Sequence, residues 1–190
     1  MLVPIPRIGR WIDNFAARHG GPAVLSVTGG ALHGTAADGS TFIARLPFQR
    51  QYAGAADPVA FAEAAAAPAD WGLLLVRKGG FAVARLHGRE VTASKVGKRH
   101  VQGRTKAGGW SQQRFARRRD NQARAALEAA DGHAARILDG LSGPLVYGGI
   151  DDAAPEGAIR LPGHISDPRR DVLERAIGDA QAALFEVTNA

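Results

Sequence analysis

The run Gly108-Gly109-Trp110-Ser111-Gln112-Gln113-Arg114-Phe115-Ala116-Arg117 concentrates the residues of this chain best suited to chemistry. Paired glycines let a backbone adopt conformations closed to other residues and approach a ligand closely. Trp110 offers an aromatic face on which a base can stack. Gln112 and Gln113 carry neutral amides that donate and accept hydrogen bonds at once. Arg114 and Arg117 suit phosphate, because a guanidinium fork matches its oxygens in pairs. The same residues also read as a plain glycine turn before an arginine-rich helix with solvated glutamines.

The charge pattern points to the same place. The 190 residues hold 24 Lys+Arg and 18 Asp+Glu, a formal net charge of +6. Ten cations lie between Lys95 and Arg124: Lys95, Lys98, Arg99, Arg104, Lys106, Arg114, Arg117, Arg118, Arg119 and Arg124. Only Asp120 opposes them, so this stretch is +9 and the remainder −3. A segment of that density repels itself unless a polyanion neutralises it. The 20 arginines against 4 lysines can follow from coding bias, but bias does not explain the clustering.

Other chemistries lack their residues. There is no cysteine, which removes disulfides, zinc fingers, iron–sulfur sites and thiol nucleophiles. The six histidines show no metal-binding spacing, and no phosphate loop, dinucleotide fingerprint or nucleophile elbow occurs. Neither a metal nor a cofactor is expected. Asp151-Asp152 follows a strand end, where a catalytic carboxylate can sit, but the pair also fits a solvated turn or a helix start. No apolar run approaches the ~20 residues of a membrane span, and the N-terminus lacks a signal-like apolar region. The expectations are a cytoplasmic compartment, no membrane partner and a monomer.

The positioning elements follow from periodicity. Residues 7–19 space Ile8, Trp11, Ile12 and Phe15 as a helix. Residues 23–28, 31–36 and 41–46 read as strands joined by Gly29-Gly30 and Asp38-Gly39-Ser40 turns. Asp57-Pro58 starts a helix. From Trp71, strands are expected at 72–77, 81–86 and 89–93, with Trp71 and Tyr147 in the core. Residues 95–109 lack periodicity and read as an exposed basic loop. A helix follows from Ser111 to about Leu138, then strands at 145–149 and 159–161. Asp167-Pro168 opens a last helix whose stripe runs through Ala183, Leu184 and Val187. The expected class is α+β, with α/β-like alternation in its later part. A small α+β unit at 1–68 precedes a second domain at 69–190, a mixed sheet flanked by helices with a protruding basic loop.

The run at 108–117 resembles the peptidyl-tRNA hydrolase loop of the eukaryotic and archaeal class-1 release factors. That family has a GGQ tip and then S-x-x-R-F-x-R. Gly108, Gly109, Ser111, Arg114, Phe115 and Arg117 match it, while Trp110 stands where the family has glutamine. The Vms-type release-factor-like proteins of ribosome quality control carry a displaced GxxQ, which Gly109-Trp110-Ser111-Gln112 resembles. The likeness covers about residues 70–190 and is nearest to the actinobacterial/chloroflexal Vms-like release factors. The fold it implies is the release-factor middle domain.

The resemblance implies a codon-independent peptidyl-tRNA hydrolase of ribosome rescue, since 190 residues leave no room for a stop-codon-reading domain. Gly109 and Gln112 would be catalytic, with Gln113 as the alternative register. Lys95, Lys98, Arg99, Arg104, Lys106, Trp110, Arg114, Arg117, Arg118 and Arg119 would bind RNA. The implied partners are the large ribosomal subunit with its 23S RNA, and peptidyl-tRNA. Two other activities fit: an endonuclease cutting near the tRNA 3′ end, and a non-catalytic ribosome- or RNA-binding module.

Overall fold

The computed structural model describes residues 1–77, 80–98 and 128–190. It is an α+β protein of two compact units, Met1–Ala67 with Ile177–Ala190, and Pro68–Ala176. This departs from the expected 1–68 and 69–190: the C-terminal residues return to the first unit. Among the described residues no helix is long and apolar enough to cross a membrane.

The first unit has strands β1 (Leu2–Val3), β2 (Val24–Thr28), β3 (Ala31–Thr35), β4 (Thr41–Arg45) and β10 (Ala183–Thr188). They form an antiparallel sheet in the order β1-β10-β4-β3-β2. Helix α1 (Ile8–Arg18) buries Ile8, Ile12 and Phe15, as its spacing predicts. Its Trp11 ring lies 4.3 Å from Phe185 and 5.4 Å, edge-on, from Phe42. Helix α2 (Pro58–Ala64) starts where Asp57 Oδ1 accepts hydrogen bonds from the Val59 and Ala60 amides, both at 2.9 Å.

β10 corrects the helix expected to continue through Val187. Helix α4 (Arg170–Ala180) ends, a turn follows, and Ala183–Thr188 pairs with β4 in the register Phe185↔Ala44. On its other side Leu184 pairs with Leu2. The spacing of Ala183, Leu184 and Val187 continues the helical stripe, while Ala183, Phe185 and Val187 also alternate as a strand. The unpaired backbone of β1 and β4, and a fully buried place for Phe185, settle it as strand.

The second unit holds β5 (Trp71–Arg77), β6 (Gly80–His87), β7 (Glu90–Lys98), β8 (Leu145–Gly149) and β9 (Ile159–Arg160). Their order is β7-β6-β5-β8-β9. β5, β6 and β7 are antiparallel, whereas β5, β8 and β9 run parallel. The sheet is therefore mixed. The uninterrupted apolar run of β5 is buried throughout except Arg77, which suits a strand covered on both faces. Residues 128–137 form helix α3, whose Ala130 joins Leu74, Val76, Phe81, Val83 and Tyr147 in one cluster.

A polar clasp fixes the return from α3 to β8. Arg85 Nε donates to Asp70 Oδ1 at 2.9 Å and its Nη2 to Oδ2 at 3.0 Å. The Ser142 amide and hydroxyl donate to the same carboxylate, both at 2.9 Å. Arg85 Nη1 also reaches the Asp139 carbonyl at 2.6 Å. These donors, Arg85 first, hold the Asp70 carboxyl well below the usual range.

Candidate functional site

Strand β7 delivers the chain to the basic segment, and it runs further than expected. Residues 95–98, read from sequence as the start of a loop, are paired: Val96 with Ala82, Gly97 with Phe81, Lys98 with Gly80. The glycine that suggested a loop serves packing instead. A Cβ on Gly97 would lie 2.2 Å from Phe81 Cε1, so only glycine leaves room for that ring. On the helix side the Phe81 ring stacks on His133 of α3, with centroids 5.3 Å apart and planes at 25°. Arg136 Nη2 lies 3.0 Å from His133 Nδ1. One buried ring thus touches both the strand leading into 99–127 and the helix leading out.

Direction and register gather strand ends at this edge. β5, β7, β8 and β9 all point the same way, so Arg77, Lys98 and Gly149 close the same end of the sheet, while Arg160 lies level with Tyr147 and Leu74. Asp151 begins a one-turn 3-10 helix after β8. Its Oδ1 pairs with Arg160 Nη1 at 2.9 Å, and the Arg160 guanidinium sits 5.2 Å from the Tyr147 ring centre. The Tyr147 hydroxyl donates to the Ile150 carbonyl at 2.6 Å, and burial pushes its pKa up. Asp151 is thereby occupied as an ion-pair partner. Tyr147 and Trp71 are fully buried, as expected of core residues.

Of the predicted site, Lys95 is an exposed residue of β7 and Lys98 is the last residue of that strand. Arg99, Arg104, Lys106, Gly109, Trp110, Gln112, Gln113, Arg114, Arg117, Arg118 and Arg119 lie outside the described residues, as do Gly108, Ser111 and Phe115. Among the described residues, no group of three or more His, Asp or Glu is placed to hold a metal ion.

Sequence reasoning missed two cations beside Lys95. An open cleft of about 550 Å³ is lined by Ser94, Lys95, Val96, Arg169 and Arg170. Arg170 Nη1 donates to Ser94 Oγ at 3.1 Å, which holds its guanidinium against the strand. The only signal in the sequence is the doublet itself, 74 residues after Lys95 at its first arginine.

A family model described as Actinobacteria/chloroflexi VLRF1 release factor matches residues 69–186. No curated protein matches the chain.

Proposed function

Because the chain belongs to the Actinobacteria/chloroflexi VLRF1 release factor family, we propose that it is a peptidyl-tRNA hydrolase that frees nascent chains from stalled ribosomal complexes without reading a codon. One observation carries this: the Gly108–Arg117 run, with its GxxQ, falls inside the matched residues 69–186. The substrate is the ester joining the nascent peptide to the tRNA ribose, held in the peptidyl-transferase centre of the large subunit. Water attacks the ester carbonyl, the bond to the ribose oxygen breaks, that oxygen takes one of the water's protons and the other passes to solvent. The products are a peptide carboxylate and an intact tRNA.

Gln112 orients the water and donates to the oxygen on which charge develops. Its amide is neutral and does not remove the proton at neutral pH. Gly109 gives the loop the close approach it needs, and Gln113 takes the role in the alternative register. Trp110 stacks on a base. Lys95, Lys98, Arg99, Arg104, Lys106, Arg114, Arg117, Arg118 and Arg119 neutralise ribosomal RNA phosphates. The proposed step uses no metal and no cofactor, and the protein acts as a cytoplasmic monomer.

The test is incubation with purified large subunits carrying peptidyl-tRNA, following peptide release and tRNA length together. The expected result is free peptide and full-length tRNA. Gln112→Ala is expected to lower release by about 10²–10³-fold, the cost of losing one donor to a developing oxyanion, while subunit binding stays intact. Full release by that variant and by Gln113→Ala would overturn the mechanism. A shortened tRNA would mean endonuclease action. Salt-sensitive binding without release would mean a non-catalytic module.

A further inference from the structure

We propose that the cleft between β7 and the start of α4 is a binding site for the phosphodiester backbone of RNA, formed by Lys95, Arg169 and Arg170. This rests on the reading of the chain as a factor that acts on ribosomal RNA. The cleft's described lining holds three cations, one hydroxyl and one valine, and no carboxylate. Asp167 and Asp171 flank the arginine pair in sequence, but neither lines the cleft. The side chains of Lys95, Arg169 and Arg170 are exposed, and no ion pair among the described residues uses them.

The chemistry of the lining selects the ligand class. A volume of about 550 Å³ is ample for a nucleotide-sized length of chain. No aromatic ring is among the lining residues, so nothing there stacks a base. Cations without stacking groups contact phosphate and sugar, which position a nucleic acid without reading its sequence. Arginine adds paired donors that fit two phosphate oxygens. Arg170 is already oriented by Ser94 Oγ, so less side-chain freedom is lost on binding. β7 ends at Lys98, three residues after Lys95, so the cleft and Lys98 share one strand.

The experiment measures binding of the full chain to purified large ribosomal subunits across a salt titration. Each phosphate contact contributes roughly 0.7–0.9 to the slope of log K against log salt. The double variant Arg169→Ala/Arg170→Ala is expected to lose roughly 1.5 from that slope and to bind at least about tenfold more weakly at low salt. Lys95→Ala should lose about half as much slope. Arg169→Lys/Arg170→Lys should keep most of it, because the charge remains. Ser94→Ala removes the orienting bond without removing charge and should leave the slope unchanged, which separates a lost contact from a disturbed fold. Wild-type slope and affinity in the double alanine variant would overturn the cleft while leaving peptide release by the wild-type chain untouched. Displacement of the subunit by polyglutamate, with an unchanged slope in the alanine variant, would instead assign the cleft to an acidic peptide and would also overturn it. Absence of release by the wild-type chain, with the slope change as expected, would count against the hydrolase alone.

Discussion

Gly97 and Phe81 allow a sharp test of how the strand leading into the basic segment is held. Adding a Cβ to Gly97 would put it 2.2 Å from Phe81 Cε1 and 2.6 Å from Cζ. Comfortable carbon contacts begin near 3.5 Å, so the ring would have to retreat by more than ~1 Å. Phe81 is only 4% exposed and is packed with Val83, Ala130 and Tyr147, so it has no free direction. Overpacking of this kind costs about 1–3 kcal/mol. Against it stands the ordinary gain of about 0.5–1 kcal/mol for alanine over glycine within a strand. Gly97→Ala alone should therefore destabilise by a net amount of up to about 2.5 kcal/mol. Phe81→Ala alone should cost about 3–5 kcal/mol. With the ring gone, the steric cost vanishes and Gly97→Ala becomes neutral or stabilising. The intrinsic alanine gain is common to both backgrounds, so the coupling in the double-mutant cycle equals the steric cost, about 1–3 kcal/mol. Urea unfolding of the four proteins measures it. Equal effects of Gly97→Ala in both backgrounds, within about 0.5 kcal/mol, would refute the account of Gly97 as a packing residue.

Two further outcomes follow from the scaffold. The Asp70 carboxyl is depressed in the folded chain, so its contribution is present above the unfolded value of about 3.9 and is lost as pH falls below it toward the folded value. Melting curves of wild type and Asp70→Asn should stay apart from pH 7 to about pH 4 and converge under stronger acid; parallel curves throughout would show that the clasp is not electrostatic. A chain truncated after Ala180 loses β10 and with it Phe185, which is fully buried against Trp11. Its Trp11 emission should shift to the red and cooperative melting of the first unit should disappear; native-like emission and melting would contradict the pairing of β10 with β4.

What the sequence determined by itself was local or additive. Charge is additive, so the cationic stretch from Lys95 to Arg124 is located without any coordinates. Turn and cap chemistry is local: Gly29-Gly30, Asp38-Gly39 and the Asp57 cap stand at the ends of the elements they predict. The apolar runs of β5 and β8 are strands because both faces are covered. The GxxQ segment is likewise legible only as sequence, through its resemblance and the family it belongs to.

What needed the tertiary structure depended on partners distant in the chain. Ala183, Leu184 and Val187 continue the helical spacing of the residues before them, but two waiting strand edges hydrogen-bond residues 183–188 as β10. Residues 95–98 resemble loop because a glycine and cations interrupt them. They are strand because β6 supplies the ladder and Phe81 fills the space a side chain at 97 would need. Arg169 and Arg170 carry no motif, and nothing in their spacing relates them to Lys95. Only the packing of the start of α4 beside β7 brings the three charges to one cleft, because a binding surface depends on distance in space rather than along the chain.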